Sequence, residues 1–150
     1  MFNLGLVVLL LIGDLALASN TRCFIPVKNS DLAIDQRDDL RLRCLKKQSS
    51  RLSFSQCLKV AQTMEYSFNM EDAQVTCLYE AAGKKKLTFE ACQKLANSLA
   101  FADTGDEMRW LCLRQAAKKP TRQQCLKLAR QMDYPSNTDR AEVFCHDELK

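Results

Sequence analysis

The chain has 150 residues, 47% of them hydrophobic, and a net charge of +4 from 22 Lys and Arg against 18 Asp and Glu. Only Gly83, Gly105 and three prolines follow residue 18, while Leu, Ala, Lys, Gln and Glu dominate, which excludes a sandwich of short strands with many turns. A single histidine and the lack of any C-x-x-C pair exclude a zinc site of ordinary spacing and a thioredoxin-like redox centre.

Residues 4 to 12 form an apolar run that leads into Leu15-Ala16-Leu17-Ala18, a small-residue site for signal peptidase, so cleavage is expected after Ala18. The run is too short to span a bilayer and is interrupted by Gly13 and Asp14, which places an uncleaved anchor second. The mature chain, Ser19 to Lys150, is enough for one cysteine-rich domain and has no further stretch able to cross a membrane. All eight cysteines lie in it, and an even count in an exported chain of this size reads as disulfides formed in a periplasm, a secretory lumen or outside the cell.

Cys23 to Asn29, with Pro26 inside it, reads as a degenerate leading half-repeat. Beyond it, Cys44, Cys57, Cys77, Cys92, Cys112, Cys125 and Cys145 are separated by 13, 20, 15, 20, 13 and 20 positions, a combined period of 33 to 35 that marks stacked helical hairpins. The hairpins fall near residues 36–66, 69–101 and 104–134, with a terminal half-repeat over 137–150. The expected fold is therefore all-α, with about seven helices in a disulfide-stapled short solenoid or compact helical array.

One helix of each hairpin, helix B, is carried by Cys57-Leu-Lys-Val-Ala-Gln-Thr-Met-Glu-Tyr66 and its echoes from Cys92 to Phe101 and from Cys125 to Tyr134. Apolar residues at the cysteine and three, four and seven positions on make one helical face. Ser53, Thr88 and Thr121 stand four residues earlier as N-caps; Gln56 and Gln124 complete capping boxes, and Leu52 and Leu87 supply staples. Met64, Met132, Tyr66, Phe101 and Tyr134 recur at matching places, which predicts core packing. Helix A surrounds Cys44, Cys77, Cys112 and Cys145, with Asn69, Thr104 and Asn137 as expected caps followed by acidic residues. Trp110 and Tyr79 are less regular and are candidates for an exposed groove.

Two pairing schemes suit neighbouring helices. The B-to-A gap is 20 in every copy while the A-to-B gap varies, and a bridged loop resists insertion more than an unbridged one. This selects Cys57 with Cys77, Cys92 with Cys112 and Cys125 with Cys145, and Cys23 with Cys44, 21 apart, completes the series and uses all eight. At 1.5 Å per residue, helix B climbs about 13 Å from Cys57 and helix A descends about 10 Å to Cys77, which brings the two cysteines level.

The repeat length is similar to that of tetratricopeptide and Sel1-like hairpins, and exported cysteine-rich Sel1-like proteins carry one disulfide per repeat. The Trp, Gly and Tyr pattern of the first class and the glycines of the second are absent, so the resemblance transfers no binding residues.

Catalysis could recruit only His146, in a terminal turn, or carboxylate pairs such as Asp38 with Asp39 and Asp106 with Glu107, which stand where helix starts favour acids anyway. No enzyme activity, metal or cofactor is expected. The charge pattern goes further. Each A-to-B turn is basic, with Lys46, Lys47 and Arg51, then Lys84, Lys85 and Lys86, then Lys118, Lys119 and Arg122, whereas the opposite turns and helix-A starts are acidic. Stacked in register, the three clusters would form one edge able to dock an anionic macromolecule or surface. The expected function is a non-catalytic secreted or periplasmic binding protein with a rigid helical surface. A protease-resistant effector or inhibitor is the alternative, and an enzyme of unrecognised type comes third.

Overall fold

The computed structural model describes Cys23 and residues 32–149. The expected leader and the half-repeat around Pro26, apart from Cys23, lie outside the described residues. Among the described residues the chain forms seven α-helices and no strand: α1 (Ile34–Gln48), α2 (Phe54–Ala61), α3 (Ser67–Gly83), α4 (Phe89–Ala96), α5 (Ala102–Gln115), α6 (Arg122–Ala129) and α7 (Pro135–Asp147). None is long and apolar enough to cross a membrane. The long helices α1, α3, α5 and α7 are the A helices and the eight-residue α2, α4 and α6 are the B helices. The closest neighbours are α2 with α3, α4 with α5 and α6 with α7, and the A helices α1, α3 and α5 also pack in sequence order.

The four bridges are those expected from spacing: Cys23–Cys44, Cys57–Cys77, Cys92–Cys112 and Cys125–Cys145, with Cα atoms 5.5 to 5.7 Å apart. The last three each join a B cysteine to the next A cysteine, the first ties Cys23 to α1, and each could contribute on the order of 3 kcal/mol by restricting the unfolded chain. The core lies around them. Leu45, Cys57, Val60, Met64 and Ala73 form one buried cluster, Leu78, Leu87, Met108, Leu128 and Ala141 belong to a second, and Phe54 packs against both.

Local chemistry starts the B helices as the sequence implies. Ser53 Oγ accepts from Gln56 N at 3.3 Å while Gln56 Oε1 accepts from Ser53 N at 2.9 Å, and Thr121 with Gln124 repeats the box. Thr88 Oγ1 accepts from Ala91 N, and Leu52 and Leu87 are buried.

The A helices start differently. Their N-caps are Tyr66, Phe101 and Tyr134, three residues before the expected Asn69, Thr104 and Asn137, and none of the three makes a side-chain cap bond. These aromatics are also not core residues, as the recurrence suggested: Tyr66, Phe101 and Tyr134 are 48%, 44% and 42% exposed, whereas Met64 and Met132 are buried.

The α6–α7 pair has a polar outer side. One residue after the A cysteine, Leu45, Leu78 and Leu113 are buried, but the fourth copy has exposed His146. Three before the B cysteine stand Phe54, Phe89 and then Arg122, and Arg122 contacts His146.

Candidate functional site

Two opposite edges of the stack are stitched by hydrogen bonds, and they place the charged residues. On the B-to-A side, Asp38 of α1 is fully buried and accepts from Glu65 N at 2.9 Å, Tyr66 N at 2.9 Å, Asn69 Nδ2 at 3.4 Å and Arg41 Nη1 at 3.1 Å. Asp106 of α5 repeats this set with Asp133 N at 2.8 Å, Tyr134 N at 3.1 Å, Asn137 Nδ2 at 2.9 Å and Arg109 Nη1 at 2.8 Å. Between them Glu71 of α3, also buried, accepts from Ala100 N at 2.7 Å and Phe101 N at 3.3 Å. A carboxylate from one A helix therefore supplies the cap that the next A helix lacks, satisfying its free amide donors.

Burial alone would raise the Asp38 carboxyl, but the amides of Tyr66 and Glu65, with Asn69 and Arg41, outweigh it and hold the group below its ordinary range. Asp106 is held low in the same way: Asn137, the Asp133 and Tyr134 amides and Arg109 outweigh its desolvation. Two members of the candidate acid–base pairs are thus committed to backbone donors. Their partners are engaged on the surface, Asp39 with Arg43 and Glu107 with the Tyr79 hydroxyl. The Glu107 contact, with burial, pushes the Tyr79 phenol up to about 12. Arg109 also reaches Asn97 Oδ1 and Asp133 Oδ2, and Gly105 leaves room for it, since a Cβ there would sit 3.3 Å from Arg109 Nη1.

On the A-to-B side, Lys84 Nζ donates to the Ser50 carbonyl at 2.6 Å and the Ser49 carbonyl at 3.4 Å, tying the second turn to the first. Ala117 N donates to Leu87 O at 2.8 Å and ties the third turn to the second. The three basic turns therefore lie along one edge. A cavity of about 680 Å³ opens between the first two, walled by Arg51, Ser53, Glu80, Lys84 and Lys86. A second, of about 290 Å³, lies between the next two and includes Thr88, Glu90, Lys118 and Lys119.

The nine basic residues do not play one role. Lys46 is drawn aside to Asp72 at 2.8 Å, Lys84 is occupied with carbonyls, and Arg122 lies against His146 on the polar outer side. Lys47, Arg51, Lys85, Lys86, Lys118 and Lys119 are exposed and form no ion pair among the described residues. Lys85 has a positive φ of 51°, the left-handed residue of a helix end in which Lys86 N bonds Ala81 O and Lys85 N bonds Ala82 O. Glycine is the usual occupant, so a lysine there costs about 1 kcal/mol in stability. The longer α3 and this turn account for the two extra residues between Cys77 and Cys92.

Sequence reading missed the capping carboxylates, although an acidic residue six positions before each A cysteine, Asp38, Glu71, Asp106 and Asp139, is visible in the repeat. Among the described residues no three of His, Cys, Asp and Glu gather as a metal ion would require. No family model, curated protein or solved structure matches the chain.

Proposed function

We propose that this is a non-catalytic binding protein of an oxidising, extracytoplasmic compartment, secreted or periplasmic, whose basic edge docks an anionic macromolecule or surface. The observation that carries the reading is the registration of the three A-to-B turns by the Lys84–Ser50 and Ala117–Leu87 bonds, because clusters on a common edge add their potentials. Lys85 adds to it: an exposed lysine occupies the positive-φ position of the second turn, where glycine is the usual residue. None of the large apolar side chains exposed among the described residues belongs to these turns, so the edge offers charge without an apolar wedge. Four disulfides in a chain of this size favour the compartment.

The test uses the full oxidised chain on heparin, anionic lipid vesicles and nucleic acid at low ionic strength. Salt-sensitive retention on at least one support is expected. Replacing Lys85, Lys86, Lys118 and Lys119 with Gln should advance elution while leaving the helical circular dichroism unchanged. Lys84 is spared because it holds two turns together. Absence of salt-sensitive retention on all three supports makes the lysines a solvated face and overturns the reading.

A further inference from the structure

The edge opposite the lysines carries exposed aromatic rings, and one of them stands outside the repeat. Nine residues before the A cysteine the other copies have Asp35, Asp103 and Ser136, whereas α3 has Phe68. Phe68 is 67% exposed, the most of any large apolar side chain among the described residues. Its ring meets Phe101 edge to face at 6.0 Å between centroids. The two flank a cleft of about 230 Å³ between α3 and α5, whose walls include Asp72, Val75, Thr104 and Glu107. This is below the volume of sites for whole small molecules and suits a single side chain.

Aromatic faces are electron-rich and attract cations, and flanking carboxylates add to that attraction. Asp72 already takes one ammonium group, from Lys46 at 2.8 Å. Elsewhere in the chain an aromatic ring takes cations in this way: Trp110 is covered by Arg114 at 4.5 Å and Arg140 at 5.7 Å. At the α3–α5 groove Val75 stands where Trp110 does and the residues matching Arg114 and Arg140 are Tyr79 and Glu107, so the Phe68–Phe101 pair is a separate arrangement that has no guanidinium of its own at those places.

We propose that the Phe68–Phe101 cleft receives a lysine or arginine side chain from an extended segment of a partner protein, with the two rings and the Asp72 and Glu107 carboxylates around the cation. This surface is independent of the basic edge and faces a partner of opposite charge.

The experiment titrates the full oxidised protein with capped Ala-Lys-Ala and Ala-Arg-Ala peptides, and with a norleucine analogue, while following the aromatic proton–carbon resonances of Phe68 and Phe101. Saturable shifts are expected with the basic peptides only. Phe68→Ala should weaken binding about three- to fivefold, with the melting temperature nearly unchanged because the ring is mostly in water. The quadruple lysine variant should bind the peptides as wild type does, whatever its behaviour on heparin. No saturable shift, equal response to norleucine, or unchanged affinity in Phe68→Ala would each overturn the proposal. Ring shifts that depend on protein concentration without peptide would overturn it too, by assigning the cleft to a second copy.

Discussion

The Asp106 carboxylate accepts the backbone N–H of Tyr134 at 3.1 Å, so the cap of α7 comes from α5, 28 residues earlier. The same bond joins Asp38 to Tyr66, and the two sites share every donor type 68 positions apart. Disulfides bind helices within each B-to-A pair, and these carboxylates bind one pair to the next.

Removing such a carboxylate leaves buried amides without an acceptor and a nearly buried arginine short of a partner. Asp106→Ala is expected to cost about 3 kcal/mol, read from urea denaturation of the oxidised protein. The exposed Asp39→Ala should cost less than about 0.5 kcal/mol. Equal effects from the two variants would mean that Asp106 is not a cap.

The lowered carboxyls also set the acid limb of stability. A group whose folded value lies below its unfolded value, near 3.8 for aspartate, stabilises fully above 3.8 and loses that contribution as pH falls through the folded value. Stability should therefore hold from pH 7 to about 5 and fall steeply below 3.8. The Asp38→Asn, Asp106→Asn double variant should be less stable at pH 7 and show a flatter acid limb. An acid limb as steep as that of wild type would place the responsible groups elsewhere.

Much of this architecture was legible because it is local and periodic. The Ser53 and Thr121 capping boxes need only residues three apart, and the constant gap between B and A cysteines identified the bridges. The A-helix caps were not legible in the same way. Their acceptor is distant in the chain, so Asn69 and Asn137 looked like caps when their amides instead support Asp38 and Asp106. Tyr66, Phe101 and Tyr134 misled for a related reason, since recurrence shows that a position is equivalent in each copy without showing which way it faces. The basic clusters were legible as composition, but only the folded chain separates Lys84, used to join turns, from Lys85, held out at a strained position.

Two single substitutions test that turn. Lys85→Gly should raise stability by about 0.5 to 1 kcal/mol, since glycine adopts the left-handed conformation without the clash of a Cβ. Gly83 lies two residues earlier without a positive φ, and a Cβ there would meet nothing within 4 Å. Gly83→Ala should therefore stabilise by about 0.4 to 1 kcal/mol. A loss of stability in Lys85→Gly, by thermal denaturation, would show that the lysine side chain rather than the backbone governs the turn.

The most direct test of the basic edge is the salt dependence of affinity for a defined heparin fragment, measured by calorimetry for wild type and for the variant with Gln at positions 85, 86, 118 and 119. The logarithm of wild-type affinity should fall linearly with the logarithm of salt concentration. The variant should bind more weakly, with a slope reduced by roughly one for each lysine engaged. A wild-type slope near zero, or the same slope in the variant, would contradict the account.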